Sequence, residues 1–351
     1  MKFFISGGGT GGHFFPALAL IDCMMEKNMD VWFVGSKRGI EYGIKGQIPC
    51  PSMFLDVHPF VGMSLFKKAR AILSLSVGTL KLIGNVKGAV GGVAFGGYAS
   101  LSVGLALSIR GKRLYLHEQN SIPSFTNILL SKFSKKVFIT FEHSRKFFPK
   151  EKVVKTGLQV RKDVLKHLSL SKEEARERLG LEGNNTTVLV MGGSQGAKFL
   201  NDLAMEFFQH FPVQGIHITG NKDYARVESY YAEKNLPVRV LPFTHQMGIV
   251  YRACDISISR AGAGTITELS LFGVPSLLIP YPFSARDHQF YNAKEIEELG
   301  GGRVMVQEEV SLEKVIKTVE YIMTEWGAFS KNIKTFYNPY ACEKIIKEVL
   351  S

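Results

Sequence analysis

Cysteine and proline are both scarce in this chain of 351 residues. It has 13 prolines, 45% hydrophobic and 21% charged residues, which excludes a collagen-like repeat, a disordered chain and a coiled coil. Its four cysteines lie far apart, and no two of them form a CxxC pair. This spacing favours neither a disulfide scaffold nor a zinc site, so we expect buried thiols in a reducing cytoplasm. The four are Cys23, Cys50, Cys254 and Cys342.

A long hydrophobic run of the kind that spans a membrane is also missing. One uncharged stretch, residues 88–109, contains six glycines and three serines, and the pair Gly96-Gly97 interrupts it. A strand, a glycine turn and a helix explain this stretch better than a membrane span does. The apolar run in residues 1–6 is too short for the core of a signal peptide. We therefore expect a soluble protein that can still touch a membrane surface.

Acidic residues are few in the first half of the chain. Residues 1–158 contain 21 Lys and Arg against 8 Asp and Glu, a net charge of +13. Residues 159–351 contain 22 against 23, a net charge of −1. The first half is therefore expected to face an anionic partner, which is a phosphorylated ligand, a nucleic acid or a membrane surface.

Short apolar runs alternate with helical segments, and the alternation starts again after residue 157. Strands that alternate with helices are typical of parallel, doubly wound sheets. Together with the length, this predicts two Rossmann-like α/β domains with a cleft between them and a linker near residues 156–162. The predicted strands are residues 3–6, 31–34, 89–95, 113–117, 136–139, 187–191, 215–219, 238–241, 256–259, 275–280 and 303–306. The predicted helices include residues 14–27, 121–133 and 340–350.

A glycine-rich turn, GGGTGG at residues 7–12, follows the first predicted strand and contains the pattern GxGxxG. Its glycines let backbone N–H groups approach an anion, at which the next helix directs its positive end. Dinucleotides, sugar nucleotides and bare phosphates all bind to such turns. The second strand ends in VGSKR rather than in an acid, which excludes an NAD ribose and leaves an NADP enzyme as an alternative. Similar turns follow later strands at residues 96–98 and 192–196.

The second half contains its own candidate site, SRAGAGTITEL at residues 259–269. Small residues there let a diphosphate approach a helix N-terminus, where the hydroxyls of Thr265 and Thr267 can donate hydrogen bonds. Glu268, one turn into the helix, is placed to bind a ribose diol; the alternative is a solvated acid that complements the helix dipole. The amide and carboxylate side chains of residues 287–292 suit sugar hydroxyls or serve as an ordinary helix cap.

Six motifs, in their order along residues 6–293, closely resemble those of the MurG family: GGGTGGHFFPALAL, FGGYAS, HEQNSIPSFTN, GGSQGAKFLN, SRAGAGTITEL and DHQFYNA. The family transfers GlcNAc from UDP-GlcNAc to lipid I, undecaprenyl-pyrophosphoryl-MurNAc-pentapeptide, in peptidoglycan synthesis. The resemblance implies a GT-B glycosyltransferase of the α/β class. It also implies inversion at the anomeric carbon and transfer to the C4 hydroxyl of MurNAc, which forms lipid II. The expected location is peripheral, on the cytoplasmic face of the cell inner membrane, in cell wall biogenesis, cell shape and cell division.

The resemblance also implies how the chain is divided and which residues bind substrates. Residues 1–158 form an acceptor- and membrane-facing domain on which the last helix, residues 337–351, packs, and residues 159–336 form the UDP-GlcNAc-binding domain. In this reading Glu268 holds the ribose, Ser194 and Thr265 the phosphates, Thr244 the uracil and Gln289 the GlcNAc hydroxyls. The implied donor contacts are Thr10, Gly11, Gly12, Asn120, Arg161, Ser194, Thr244, Ala263, Gly264, Thr265, Ile266, Thr267, Glu268 and Gln289. Gly96, Gly97 and Tyr98 are the expected binding site for the acceptor diphosphate.

The reaction needs a base for the acceptor hydroxyl and a means of stabilising the departing UDP. No DxD motif occurs in the chain, so we expect neither a metal nor another cofactor; backbone N–H groups, helix N-termini and Arg260 are the available substitutes. His13 is the first candidate base, because a helix N-terminus disfavours the imidazolium. Its alternative role is ligand binding or loop packing. Glu118, at the end of a predicted strand, is the second candidate, and its alternative role is to organise its loop.

Residues 63–87 form the most suggestive membrane contact. They predict an apolar helix on which Lys67, Arg70 and Lys81 fall within roughly 60° of one another. Apolar residues beside a basic face suit binding to an anionic bilayer surface, for which Lys67, Lys68 and Arg70 are the expected contacts. The alternative is that the apolar residues pack on the sheet and the basic ones are merely solvated.

Two other functions are compatible with single features of the sequence. An NADPH-dependent oxidoreductase is compatible with the first glycine turn and predicts no affinity for UDP. A nucleic-acid-binding protein is compatible with the basic first half and predicts binding that depends steeply on salt. Because no basic and aromatic pattern of a known nucleic-acid module is present, we expect no nucleic-acid partner.

Overall fold

Seven short strands of the first half pair into one parallel sheet, in the order β3-β2-β1-β4-β5-β6-β7. The computed structural model describes residues 1–58, 65–193 and 196–351, without the side chains of residues 65–69. The sheet is buried on both faces, as parallel sheets are, and Phe3, Phe4 and Ile5 of its central strand are fully buried. The strands are β1 (Lys2–Ser6), β2 (Asp30–Ser36), β3 (Ser52–Leu55), β4 (Ala89–Ala94), β5 (Arg113–Glu118), β6 (Lys136–Ile139) and β7 (Val153–Lys155).

Six strands of the second half form another parallel sheet, in the order β10-β9-β8-β11-β12-β13. Its core contains Val188 and Val190 of the central strand and, from a neighbouring helix, Leu200 and Phe207, all fully buried. The strands are β8 (Thr187–Met191), β9 (Gln214–Ile218), β10 (Val238–Leu241), β11 (Ile256–Ser259), β12 (Ser276–Leu278) and β13 (Gly302–Val304).

Helices connect the strands of both sheets, so the prediction of two doubly wound parallel sheets is confirmed. The helices of the first half are α1 (Gly11–Glu26), α2 (Ile40–Gly43), α3 (Leu65–Asn85), α4 (Tyr98–Ile109) and α5 (Phe125–Ser131). Those that follow are α6 (Lys162–Leu165), α7 (Lys172–Glu177), α8 (Lys198–His210), α9 (Tyr224–Glu233), α10 (Met247–Ala253), α11 (Ala263–Phe272), α12 (His288–Glu298), α13 (Leu312–Thr324), α14 (Trp326–Lys334) and α15 (Ala341–Leu350).

The chain divides into two compact units. The first unit contains Met1–Arg161 and Asn338–Ser351, and the second contains Lys162–Tyr337. Residues 159–161 thus lie in the first unit, where the Arg161 guanidinium stacks over the Phe15 ring at 4.6 Å. The returning chain is attached by Asn338, whose Nδ2 donates to the Thr156 carbonyl at 2.6 Å. Helix α15 then buries Ile345 and Val349 in the core of the first unit.

Two edge elements were absent from the predicted pattern. Strand β3 has only one buried residue, Leu55, and β7 is three residues long with none, so neither produces a clear apolar run. The predicted helix at residues 121–133 is shorter in the structure, because Ser124 caps α5 by accepting a hydrogen bond from the Asn127 N–H at 3.2 Å.

The expectation of four free thiols is wrong for two of the cysteines. Cys23 on α1 and Cys342 on α15 form a disulfide with a Cα–Cα distance of 6.5 Å across 319 positions of sequence. Cys50 and Cys254 are free. Spacing in the sequence could not reveal the pair, because only the return of α15 to the first unit brings the two cysteines together.

Reduction of this disulfide should destabilise the first unit. A cross-link that closes so long a loop removes conformational entropy from the unfolded chain, typically for about 2–4 kcal/mol of stability. We expect dithiothreitol, or the substitution Cys342→Ser, to lower the free energy of unfolding of the first unit by that amount in denaturant titrations. The Cys342→Ser variant is its own control, because dithiothreitol should not change its unfolding curve further. An equal response of both proteins would contradict a stabilising role.

None of the helices in the described part of the chain combines the length and the apolar character that crossing a membrane requires.

Candidate functional site

The first candidate site lies where the strand order of the first sheet reverses. Strands β1 and β4 are neighbours at that point, and ligands of doubly wound folds bind beyond the carboxyl ends of such strands. The loop after β1, residues 7–10, and the loop after β4, residues 95–97, are in direct contact there. A Cβ added to Gly97 would lie 2.6 Å from the Gly8 carbonyl oxygen. Because Gly97 also has a φ of +84°, this position requires glycine.

The first loop presents backbone donors at the start of α1. Thr10 is the N-cap residue, and its carbonyl accepts hydrogen bonds from the N–H groups of His13 and Phe14. The N–H groups of Gly11 and Gly12 donate to no other group in the described part of the chain. Because the N-terminus of a helix attracts negative charge, these two amides can bind an anionic group of a ligand.

His13 lies between the two loops of the first unit. Its Nδ1 is 3.2 Å from Thr10 Oγ1, and a Cβ at Gly96 would lie 2.9 Å from its Nε2. Gly96 has a φ of +102°, so glycine is needed there both for the backbone conformation and for the space beside the imidazole. The half-buried ring is thus held at the end of the sheet where ligands bind in this fold.

Glu118, the last residue of β5, has no exposed surface. Its carboxylate accepts hydrogen bonds from the backbone N–H groups of Asn120 and Ser124 at 3.0 and 3.1 Å and from Asn127 Nδ2 at 2.8 Å. The pKa of this carboxyl is raised to about 7, because burial raises it by more than the hydrogen bonds lower it. These contacts favour the second of its two interpretations, an organiser of the loop at residues 119–124.

The neighbouring His117 is structural. Its ring stacks on Phe95 with the centroids 4.9 Å apart, and its Nε2 lies 3.1 Å from the Gly157 carbonyl oxygen. Complete burial lowers the pKa of His117 to about 4, so the ring is neutral near pH 7. His117 therefore connects β5 to the segment that leads to Arg161. Of the two donor contacts expected in this region, Asn120 is half-buried beside Glu118 and Arg161 stacks on Phe15.

The second unit has a matching site where its own strand order reverses, between β8 and β11. Helix α11 begins there, directly after Gly262. Ile266 is the first residue whose N–H donates within the helix, to the Gly262 carbonyl at 3.0 Å. The N–H groups of Ala263, Gly264 and Thr265 are therefore left for a ligand, and nothing lies within 4 Å of a Cβ built on Gly264. This helix N-terminus has the donors and the space that a diphosphate requires.

Two side chains of this motif face the protein rather than a ligand. The Thr267 hydroxyl is buried and donates to the Ala263 carbonyl at 2.9 Å, so its position does not support the expected hydrogen bond from this hydroxyl to a phosphate. Ile266 is 1% exposed and can contact a ligand only through its backbone. Thr265 and Glu268 are both half-buried, so part of each side chain is exposed at this helix N-terminus.

Arg260 is also committed to the protein. Its guanidinium donates to the carbonyls of Ile279 and Pro280 at 3.1 and 2.9 Å and to Gln307 Oε1 at 2.7 Å. Burial lowers the pKa of this group. The expectation that Arg260 stabilises the departing diphosphate is therefore not supported, and the helix N-terminus remains as the anion site.

Two further side chains of the implied donor site, Gln289 and Thr244, each accept one hydrogen bond from the backbone. The Gln289 Oε1 accepts from the Tyr281 N–H at 3.0 Å, which holds the side chain against the segment after β12 and leaves its NH₂ group to donate. The Thr244 Oγ1 accepts from the Gln246 N–H at 2.9 Å. Ser194 lies outside the described residues, as do the side chains of Lys67 and Lys68.

A buried acid that the sequence motifs do not indicate lies beside the first glycine loop. The second strand does not end in an acid, but the side chain of Glu41, five residues beyond Ser36, turns back to the end of that strand. Its carboxylate is fully buried and accepts hydrogen bonds from the backbone of Ser36 and Gly9. The signal in the sequence was the pair of glycines before it, Gly35 and Gly39, which leave space for its side chain.

No group of three or more His, Cys, Asp or Glu side chains with the arrangement of a metal site occurs among the described residues.

Comparison with known proteins covers both units. Residues 3–139 match the glycosyltransferase family 28 N-terminal domain, and residues 187–339 match the glycosyltransferase family 28 C-terminal domain. A protein of Aquifex aeolicus is 47% identical over 99% of both chains, and one of Sulfurihydrogenibium sp. is 34% identical over 100% of this chain and 98% of that protein. Both are named UDP-N-acetylglucosamine–N-acetylmuramyl-(pentapeptide) pyrophosphoryl-undecaprenol N-acetylglucosamine transferase. The crystal structure of Acinetobacter baumannii MurG is similar with a TM-score of 0.78 at 25% identity, over 99% of this chain and 98% of that one.

Proposed function

Because this chain belongs to glycosyltransferase family 28, and within it to the MurG family, we infer that it transfers GlcNAc from UDP-GlcNAc to undecaprenyl-pyrophosphoryl-MurNAc-pentapeptide. The product is lipid II, the precursor of peptidoglycan. The observation that carries this conclusion is the 47% identity, over 99% of both chains, to a relative with that name. Two helix N-termini with unused amides, one in each unit, supply the anion sites that a sugar nucleotide and a pyrophosphate-linked acceptor both require.

We assign the donor to the second unit and not to the residues of the first unit that the resemblance also implies for it, which are Thr10, Gly11, Gly12, Asn120 and Arg161. The amides of Ala263, Gly264 and Thr265 bind the diphosphate, and Glu268 accepts hydrogen bonds from the ribose hydroxyls. The NH₂ group of Gln289 contacts the GlcNAc hydroxyls, and Thr244 lines the uracil site. This assignment is supported by the donors left unused at the start of α11 and by the accessible positions of these side chains.

The acceptor is assigned to the first unit, between the loops after β1 and β4. Gly96, Gly97 and Tyr98 at the start of α4 approach its pyrophosphate, as the resemblance implies, and the excess positive charge of this half attracts it. The resemblance gives Gly11 and Gly12 to the donor; we instead assign their amides to this pyrophosphate, because the loops after β1 and β4 are in contact. His13 removes the proton from the C4 hydroxyl of MurNAc as that oxygen attacks C1 of GlcNAc. The bond from C1 to the phosphate oxygen breaks with inversion, and UDP departs with the electron pair. The helix dipole and the three amides of α11 stabilise the charge that develops on UDP.

Ligand specificity tests this function. UDP-GlcNAc should raise the melting temperature of the protein more than UDP-glucose, UDP-GalNAc or NADPH does, and GlcNAc should be transferred to a soluble lipid I analogue. Stabilisation by NADPH without stabilisation by UDP-GlcNAc would support the oxidoreductase alternative. The structure gives a reason against that alternative, because the Gly9 amide of the GxGxxG turn is already bonded to Glu41. Tight, salt-dependent binding of nucleic acid without sugar transfer would support the other alternative.

Helix α3 is our proposed membrane contact. Leu73, Val77 and Leu80 are 66%, 43% and 68% exposed, and with Arg70 and Lys81 they occupy one arc of about 100° on the helix. The opposite side buries Ala71 and Leu82 in the core, and Val86, directly after the helix, is buried as well. Exposed apolar residues flanked by basic ones suit an anionic bilayer surface, and the enzyme needs such a surface to meet a lipid-linked acceptor. We therefore place the protein peripherally on the cytoplasmic face of the cell membrane.

Reversing the basic charge of α3 should weaken membrane binding. Each Lys or Arg near an anionic surface contributes about 1 kcal/mol, so Lys67→Glu, Lys68→Glu and Arg70→Glu together should lower the partition coefficient on anionic vesicles by about 100-fold or more. Sedimentation with vesicles at low salt measures this, and UDP-GlcNAc affinity should not change. The matched control variant reverses the same number of charges in the second unit by Lys222→Glu, Lys314→Glu and Lys331→Glu. Equal vesicle binding by both variants would exclude α3 as the contact.

A further inference from the structure

Glu41 places a carboxylate beneath the first glycine loop. It lies in the short helix α2 after β2, and its side chain has no exposed surface. Oε1 accepts from the Ser36 N–H at 2.8 Å, and Oε2 accepts from the Gly9 N–H at 2.9 Å. No basic side chain in the described part of the chain forms an ion pair with it. Burial of a carboxylate raises the free energy of the folded state, because the charged group loses its hydration. Among the described residues, only hydrogen bonds from backbone amides offset that loss.

Three glycines surround this carboxylate. A Cβ on Gly8 or on Gly39 would overlap the carboxyl group of Glu41, and a Cβ on Gly35 would lie 2.8 Å from its Cγ. Gly39 has an ordinary backbone conformation, with a φ of −92°, so glycine is needed there for space and not for backbone freedom. The segments at residues 8–9 and 35–39 are thus both built around one side chain.

A short chain of contacts links Glu41 to His13 through Gly9 and Thr10. Gly9, whose amide Glu41 holds, has a φ of +85° and directly precedes the N-cap residue Thr10. The Thr10 carbonyl accepts from the His13 N–H at 3.2 Å, and its hydroxyl lies at 3.2 Å from the imidazole. Gly8, on the other side of Gly9, contacts Gly97 of the second loop. A displacement of Gly9 would therefore move both His13 and the loop it faces.

We propose that Glu41 is a positioning residue for sugar transfer: it fixes the glycine loop after β1 and, through Thr10, the imidazole of His13. This inference rests on the proposed function, because it assigns the positioned imidazole to the acceptor hydroxyl. It also limits which amides can bind the acceptor. The Gly9 N–H belongs to Glu41, so the amides of the loop that remain for an anionic group are those of Gly11 and Gly12.

The first experiment compares Glu41→Gln with the unmodified enzyme in transfer to a soluble lipid I analogue. The amide keeps the size of the side chain but turns an NH₂ group toward one of the two N–H donors. We expect kcat to fall by about 10- to 100-fold, since a misplacement of about 1 Å at a reacting group has effects of that size. The Kd of UDP-GlcNAc, measured by calorimetry, should stay within about twofold, because the proposed donor site belongs to the other unit.

A stability control separates positioning from folding. Ile345→Ala removes buried methyl groups of α15 from the core of the first unit and should lower the melting temperature without lowering kcat at 25 °C. The NMR signals of the His13 ring should move in Glu41→Gln and stay in place in Ile345→Ala. A kcat that falls equally in both variants, or a His13 signal that does not move in Glu41→Gln, would overturn the proposal.

A double-mutant cycle tests the contact from the opposite side. Gly39→Ala inserts a methyl group where the carboxyl of Glu41 lies and should reproduce the loss of kcat. In the background of Glu41→Ala the space is empty, so adding Gly39→Ala should lower kcat no further. Additive losses would overturn the proposal, and Gly39→Ala tests it even if Glu41→Gln does not fold. Absence of transfer by the unmodified enzyme would refute the proposed function instead, and the His13 signals would still test the role of Glu41.

Discussion

Replacement of His13 by Asn is expected to lower kcat by about 100- to 10,000-fold, which is the usual contribution of a positioned general base. Asn retains the size and polarity of the side chain but cannot take the proton of the acceptor hydroxyl. The Kd of UDP-GlcNAc should not change, because the proposed donor site lies in the second unit. Transfer to a soluble lipid I analogue under saturating substrates measures the effect.

The control for this substitution is His210→Asn, at the exposed end of α8, which should leave kcat unchanged. A His13→Asn enzyme with an undiminished kcat would show that the base is another group. Glu118 would not be the immediate substitute, since its buried carboxylate already accepts hydrogen bonds from Asn120, Ser124 and Asn127. A loss of activity after Glu118→Gln would instead reflect the displacement of residues 119–124.

Replacement of Glu268 by Ala is expected to weaken UDP-GlcNAc binding by roughly 1.5–3 kcal/mol, or about 10- to 150-fold in Kd, since a hydrogen bond to a charged group is lost. If Glu268 binds the ribose, the affinity for UDP should fall by the same factor, because both ligands carry that ribose. Gln289→Ala should weaken only UDP-GlcNAc, because its proposed partner is the sugar. Calorimetry with both ligands distinguishes the two roles.

The control for Glu268 is Glu298→Ala, an exposed carboxylate at the end of α12. It changes the net charge of the second unit by the same amount and should leave both affinities unchanged. An unaltered UDP affinity in Glu268→Ala would exclude the ribose contact. The acid would then be one that merely complements the dipole of its helix.

Elements with a clear apolar run were predicted from the sequence, and those without one were not. The central strands β1, β8 and β11 follow directly from their apolar residues, which parallel sheets bury on both faces. The edge strands β3 and β7 bury one residue or none and left no comparable pattern. Burial on one face is too weak a signal in a strand of three or four residues.

The positions of the helix N-termini were predicted better than the hydrogen-bond partners of individual side chains. The glycine motifs correctly placed the starts of α1, α4 and α11 at the ends of strands, because a turn of that kind can be built from few residues. The hydroxyl of Thr267 and the guanidinium of Arg260 were expected at a ligand and instead donate to carbonyls of the protein. A residue type shows what a side chain can donate, but which acceptor it meets depends on distant segments.

The sequence alone therefore determined the two doubly wound sheets, the glycine turns at their carboxyl ends and, through its motifs, the family. All of these depend on short segments whose apolar period or glycine content dictates their local conformation. Only the tertiary structure decided that Glu41 lies beneath Gly9, that Cys23 meets Cys342 and that Glu118 is enclosed by its own loop. These contacts join residues that different strands and helices bring together. Their energies come from burial and from hydrogen bonds that exist only once both sides are in place.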